Sequence, residues 1–143
     1  MAIKQLYYSS EEYKQMVHLR LEIMRKPLGL IFSTDELEKE KDDILIGAFD
    51  EDVIIGCCIL TGIDNNTVRL RQMAVQKKQQ GMGIGQAMMT FAENIARDKG
   101  FKLLTMHARD TAIGFYEKFG YKVNGPAFIE VNIDHHEMEK NLI

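Results

Sequence analysis

Between Gln79 and Gly85 the chain reads Gln79-Gln80-Gly81-Met82-Gly83-Ile84-Gly85. The stretch follows a strand expected over Val68–Val75 and opens a helix expected over Ile84–Lys99. Small residues at a strand-to-helix turn let backbone N–H groups close on an anion, and the helix N-terminus adds partial positive charge. The chemistry this suggests is a phosphate or pyrophosphate cradle. No Lys-Ser/Thr pair ends the turn, which argues against a nucleotide-hydrolysing P-loop. The glycines alternate at 81, 83 and 85, which does not fit the dinucleotide fingerprint either.

The pattern Gln80-x-x-Gly83-x-Gly85 resembles the Q/R-x-x-G-x-G/A signature of the GNAT superfamily, the GCN5-related N-acetyltransferases. Arg71-Gln72-Met73-Ala74-Val75 resembles that family's central strand. Ala112-Ile113-Gly114-Phe115-Tyr116-Glu117-Lys118-Phe119-Gly120-Tyr121 is similar to its A-x-x-F-Y-E-K-x-G-F/Y segment, and His136-Glu137-Met138 to its closing H-x-x-M strand. The ordered matches span residues 67–140. Leu19 to Gly29 more weakly resembles the LR-x-x-V-L-R-x-P-L-G segment of one poorly characterised, small-acceptor subgroup.

The resemblance implies a mixed, mostly antiparallel sheet flanked by helices, an α/β (α+β) fold with one splayed parallel strand pair. It implies that Gln80, Gly81, Met82, Gly83, Ile84, Gly85 and Gln86 hold the pyrophosphate of acetyl-coenzyme A. Backbone groups of Met73, Ala74 and Val75 would receive the pantetheine arm in the splay. Tyr116 matches the tyrosine that in many relatives lies near the coenzyme sulfur, and would protonate the departing thiolate. A phenol suits that task because its ordinary pKa, about 10, keeps it protonated at neutral pH. The bland alternative is a core tyrosine on a helix stripe. Relatives often place an asparagine near Ala108-Arg109-Asp110-Thr111; this chain has none there, and that contact is not transferred.

Acetyl transfer to an amine needs a neutral amine, a polarised carbonyl and a proton for the leaving group. A strand N–H can polarise the carbonyl. Glu22, Glu130 and His107 are the candidates for general base, directly or through water; a water chain alone is the other option. Glu22 falls in the helix that borders the acceptor, Glu130 on a late strand, and His107 near the end of the strand before Tyr116. His135-His136-Glu137 invites a metal reading, but neighbouring strand residues point apart and no second dense cluster completes a shell. No metal is expected. Lys77-Lys78 either attracts the coenzyme's phosphates or forms a solvated basic loop. Asp110 is placed to cap the helix that follows.

These residues sit in a chain of 143 residues, enough for one domain spanning 1–143 with a substantial core. Hydrophobic residues make up 45 % and charged residues 27 %, as in ordinary globular proteins. A net charge of −3 offers no general basic field for nucleic acid. No apolar run approaches the roughly 20 residues that span a bilayer, and the first residues have no secretory core. A cytoplasmic protein without membrane or nucleic-acid partners is expected. The only cysteines, Cys57 and Cys58, are adjacent on an expected strand and should point to opposite faces. Structural burial suits them better than a nucleophilic role.

The positioning elements follow from period and punctuation. Lys4–Tyr8 reads as a first strand. Ser9 with Glu12 offers a capping box for a helix carrying Tyr13, Met16, Val17, Leu21 and Met24, stopped by Pro27 and Gly29. Ser33 with Glu36 offers a second box for a short helix through about Lys41. Ile44–Phe49, Val53–Ile63 and Val68–Val75 read as an antiparallel meander, with turns at Asp50-Glu51-Asp52 and Asp64-Asn65-Asn66. Ile84, Ala87, Met88, Phe91 and Ile95 form a helical stripe ending at Gly100. Phe101–Ala108 should then run parallel to Val68–Val75 through a crossover. Ala112, Phe115, Tyr116 and Phe119 share one face of a last helix. Val123 and Phe128–Lys140 close the sheet as a hairpin-like end.

The resulting expectation is an acetyl-CoA-dependent N-acetyltransferase acting directly on a small-molecule or peptide amine. The alternatives are a non-catalytic acyl-CoA-binding or sensing module, and a protein or peptide acetyltransferase. An exposed edge strand leaves a homodimer open.

Overall fold

The computed structural model describes residues 1–143. The first strand, β1 (Ala2–Leu6), lies two residues earlier than expected, because Tyr7 and Tyr8 enter the turn before the first helix. Helix α1 (Glu11–Arg20) is capped by Ser10, whose Oγ accepts from the Tyr13 N–H at 3.1 Å. The cap falls one residue after the expected Ser9, which takes φ 65° in that turn. Glu11 and Glu12 in the first turn favour the positive end of the helix. The helix widens into a π-helical turn over Leu21–Arg25 and tightens into a 3-10 turn over Lys26–Leu28, where Gly29 at φ 70° ends it. Helix α2 (Thr34–Glu38) begins with the expected reciprocal box between Ser33 and Glu36.

The remaining elements are β2 (Ile44–Asp50), β3 (Val53–Gly62), β4 (Thr67–Val75), α3 (Ile84–Asp98), β5 (Leu103–Arg109), α4 (Ile113–Glu117), β6 (Lys122–Val123), β7 (Phe128–Glu130) and β8 (Ile133–Asn141). The sheet order is β1-β2-β3-β4-β5-β8-β6, with β7 also paired to β8. Every pairing is antiparallel except β4 with β5, which the α3 crossover makes parallel. Helix α4 is shorter than its apolar stripe suggests. A 3-10 turn at Asp110–Ala112 precedes it, and its N-cap, Ala112, makes no side-chain cap. Asp110 is therefore not the cap; its carboxylate meets His136 Nδ1 at 2.7 Å.

The sheet is covered on both faces. Val68, Leu70, Met88, Leu104, Met106 and Met138 pack on the α3–α4 side. Met16, Leu19, Leu45, Cys57 and Ile59 pack under α1. Cys57 and Cys58 enter these opposite cores, both as free thiols, as strand alternation requires. Burial pushes the Cys57 thiol up to about 12.

Two features open the centre of this sheet. Pairing of β4 with β5 runs from Thr67↔Leu103 to Leu70↔Met106 and then stops, although β4 continues to Val75 and β5 to Arg109. Next to the divergence, β4 bulges against β3: Ala74 faces Cys57 and Arg71 faces Ile59, so Gln72 and Met73 oppose Cys58 alone. Gln72 takes φ 57° at the bulge.

Candidate active site

A cavity of about 410 Å³ occupies the divergence of β4 and β5. Its lining crosses the thickness of the sheet. Leu70, Met106, Ala108 and Tyr116 come from the α3–α4 side, whereas Arg69, Arg71, His107 and Arg109 alternate with them on the α1 side. Met24, Arg25, Leu28 and Leu30 from the turns after α1 close one wall, and Glu130, Val131 and His135 the other.

Tyr116 is 8 % exposed, with its ring edge-to-face against Phe115 at 5.1 Å and Tyr121 at 6.1 Å. Burial, reinforced by Cys58 nearby, pushes its phenol up to about 12. It therefore holds its proton throughout the neutral range. Tyr121 is spoken for: its hydroxyl donates to Glu93 at 2.8 Å.

His107 and Glu130, two of the expected bases, meet at the cavity wall. His107 Nδ1 lies 3.4 Å from Glu130 Oε1. His135, which is not among the expected bases, completes the group, with Nε2 at 3.7 Å from Glu130 Oε2. Phe128 holds both rings, edge-on to His107 at 5.1 Å and stacked on His135 at 5.7 Å. His135 Nδ1 meets the Ile133 carbonyl at 2.7 Å. A proton on Nδ1 to make that bond would leave Nε2 bare toward the carboxylate in the neutral ring.

Glu22 is not brought to this cavity. It is exposed on the π-helical turn that follows α1, paired with Lys26 and near His18. The Lys26 ammonium holds its carboxyl below the usual range. Glu22 shares a separate depression with Lys77 and Lys78.

The glycine turn stands beside the open end of β4. Gln80 Nε2 donates to the Val75 carbonyl at 3.0 Å, folding the turn back on the strand end. Gly81 and Gly83 sit at φ 80° and 83°, conformations that side chains rarely adopt, and a Cβ on either would meet nothing within 4 Å. The N–H groups of Gly81, Met82 and Gly83 have no partner in the chain. Those of the first α3 turn, Ile84 to Gln86, are the ones a helix leaves unpaired, and Gly83 supplies no side-chain cap. Gly85 has a different use: a Cβ there would press on Phe115 Cζ at 3.2 Å, so its absence seats α4 against α3. Of the central-strand residues, Met73 lines the cavity, Ala74 packs under α1, and Val75 pairs with Gly56.

A further set, invisible as a motif, fixes the bulge. Arg20, fully buried, donates to both carboxylate oxygens of buried Glu40 at 2.8 and 2.7 Å, and Tyr13 Oη donates to the same carboxylate at 2.8 Å. The same guanidinium reaches Gln72 Oε1 through Nε at 3.4 Å.

The sheet thus splits at its one parallel pair, with a glycine turn of unpaired amides beside the split, in a chain of the acetyltransferase class. The chain matches the Acetyltransferase (GNAT) domain over residues 27–142 and belongs to that family. It is 35 % identical over 115 residues to a Xenopus tropicalis protein called "Probable N-acetyltransferase 14", covering 77 % of this chain and 55 % of that one, so it spans about half that relative's length. An aminoglycoside 6′-N-acetyltransferase solved with coenzyme A shares its fold at a TM-score of 0.83 and 18 % identity, covering 100 % of this chain and 98 % of that one. A GNAT family acetyltransferase from Elizabethkingia anophelis, solved with acetyl-CoA bound, superposes at 0.74 with 20 % identity over 98 % and 97 % of the two chains.

Proposed function

We propose that the protein transfers an acetyl group from acetyl-CoA directly to a primary amine, both bound together in the cleft between β4 and β5. The observation that carries this reading is the juxtaposition of three things: unpaired turn amides, a strand pair that stops pairing at Leu70 and Met106, and a protonated Tyr116 lining the gap. The residues fit the coenzyme. The amides of Gly81 to Gly83 and the first α3 turn offer donors for a pyrophosphate. The backbone of Arg71 to Val75 that faces away from β3 has no strand partner and offers donors and acceptors to an extended amide chain.

Bound acetyl-CoA supplies an activated acyl group as a thioester. The chain's own residues handle the protons. An amine reaches the cleft as an ammonium and must lose a proton to attack. Glu130, flanked by His107 and His135, stands on the wall where that proton can be taken and relayed to water. Tyr116 keeps its own proton at Oη for the leaving sulfur, on the α3–α4 side. One N–C bond forms as one C–S bond breaks; two protons leave the ammonium nitrogen, one through Glu130 to water before attack, and the other after attack, balancing the proton that Tyr116 gives to sulfur.

The test is mass-spectrometric product formation with acetyl-CoA and a pooled panel of amines, amino acids and peptides. An acetylated product that needs active protein supports the reading. Tight acetyl-CoA binding with no product on any acceptor would overturn it in favour of a sensing module.

A further inference from the structure

Positive charge in the cavity exceeds its neutralisation. Four arginines line it, against one carboxylate. Arg25 is bound to Glu36 at 2.9 Å and to the Ile31 carbonyl at 3.0 Å. Arg71 has Asp43 at 3.8 Å and Thr61 Oγ1 at 3.4 Å. Arg69 and Arg109 have neither an ion pair nor a hydrogen bond. The Nε of Arg69 is shut off from solvent with no acceptor, alone among the buried side-chain polar atoms of the protein. The single carboxylate, Glu130, faces the two histidines. Glu137 and Glu139 lie on the same sheet face by register with His107 and Thr105 but do not line the cavity, and Glu137 is bonded to Asn124 at 3.2 Å.

Arg69 and Arg109 alternate to the same face, the first on β4 beside Thr105, the second on β5 beyond it. That nitrogen is closed to a ligand as it is to water, but the two Nη groups of Arg69 are not shut off and have no partner in the chain, which leaves them open to a ligand oxygen. The planar guanidinium fork favours a bidentate oxyanion. Around these charges the mouth is apolar, with Leu28, Leu30 and Val131 part-exposed.

We propose that the acceptor is an amine that also carries a carboxylate. The carboxylate seats on Arg69, Arg109 adds field, and the amino group faces Glu130. This rests on the acetyl-transfer reading of the cleft and names its substrate class. A polyamine, or a simple amine without a carboxylate, would leave both guanidiniums unanswered and bring an ammonium charge beside them.

The test pairs leucine with leucinamide, with spermidine and O-phosphoethanolamine alongside, in calorimetric titrations and in acetylation assays. Leucine should bind about 10- to 100-fold tighter than its amide, the gap expected for a hydrogen-bonded charge. Arg69→Met should erase that gap, and Arg109→Met should narrow it. Should Arg69→Met not fold, the wild-type pair and Arg109→Met still decide. Equal binding of acid and amide, or preference for spermidine, overturns the assignment. Tighter binding of O-phosphoethanolamine also overturns it, in favour of a phosphate. Turnover without the acid–amide gap leaves acetyl transfer standing and removes the carboxylate site. A calorimetric gap without turnover on any amine does the reverse.

Discussion

Arg20 Nε donates to Gln72 Oε1 at 3.4 Å, joining a buried residue of α1 to the left-handed residue of the β4 bulge. The same guanidinium is neutralised by Glu40, so one charged side chain ties the first helix, the segment after α2 and the strand that opens the cleft. A buried ion pair of this kind is costly to halve. Arg20→Met should lower stability by about 3–5 kcal/mol, because Glu40 keeps its charge without its partner. Urea denaturation reads the loss. The double variant Arg20→Met/Glu40→Leu should recover part of it; a double variant no better than the single would refute the account.

Tyr116→Phe keeps the ring against Phe115 and Tyr121 and removes only the hydroxyl. The turnover number should fall by about 10²-fold, the scale of positioned acid catalysis. Acetyl-CoA affinity, measured by calorimetry, should stay near wild type. Unchanged turnover would take Tyr116 out of the mechanism.

Glu130 and Glu22 make a matched comparison of two carboxylates that both looked able to act as base. Glu130→Gln should lower kcat by about 10²-fold while sparing coenzyme affinity. Glu22→Gln, on the π-helical turn after α1, should change kcat by about twofold at most. The opposite ranking would move the chemistry out of the cleft.

At Gly83 a side chain has room but meets a backbone at φ 83°. Gly83→Ala should therefore fold, with a stability loss of about 1 kcal/mol. Gly83→Glu should fold too, yet lose about 10- to 100-fold in acetyl-CoA affinity, because its carboxylate repels the pyrophosphate. Full affinity in the glutamate variant would contradict the assignment of the turn.

The buried phenols and thiols set the response to alkali. Burial pushes Tyr116 and Cys57 up to about 12, and Tyr13, Tyr121 and Cys58 are pushed up as well. In the unfolded chain they ionise near their ordinary values, about 8.5 for Cys and about 10 for Tyr. Above those values the unfolded chain binds fewer protons than the native one, so rising pH favours unfolding. Stability should fall from about pH 8 to about pH 12, with Tyr116 alone contributing about 2–3 kcal/mol of the loss. Urea midpoints taken from pH 7 to 11 check the slope; a flat profile would contradict it.

The parts that followed from sequence are those set by neighbours in the chain. The Ser33–Glu36 box, the meander, the α3 helix and the glycine turn each depend on residues a few positions apart, although the core face of α3 runs through Ile84, Met88, Met89, Ala92 and Ala96, with Phe91 and Ile95 only flanking it and Ala87 outside it. So does the opposed burial of Cys57 and Cys58. The first cap slipped by one because Ser9 and Ser10 are both competent, and the turn after β1, not propensity, chose between them. What sequence could not pair is long-range. Arg20 and Glu40 are 20 residues apart, and Arg20 and Gln72 are 52. Nothing in the run of β4 announces a bulge at Gln72. His135 joined Glu130 only once β7 folded back on β8. Arg69, between Val68 and Leu70, did carry a signal: alternation sends it to the face away from α3.

The separation of Cys57 and Cys58 into opposite cores gives the molecule a built-in gauge of its own integrity. Both thiols are fully buried, so the native chain presents none to a thiol-reactive dye, and the unfolded chain presents two. Colour developing without added coenzyme would therefore count opened molecules. In an intact sample, a thiol signal that grows during turnover would belong to the released coenzyme alone.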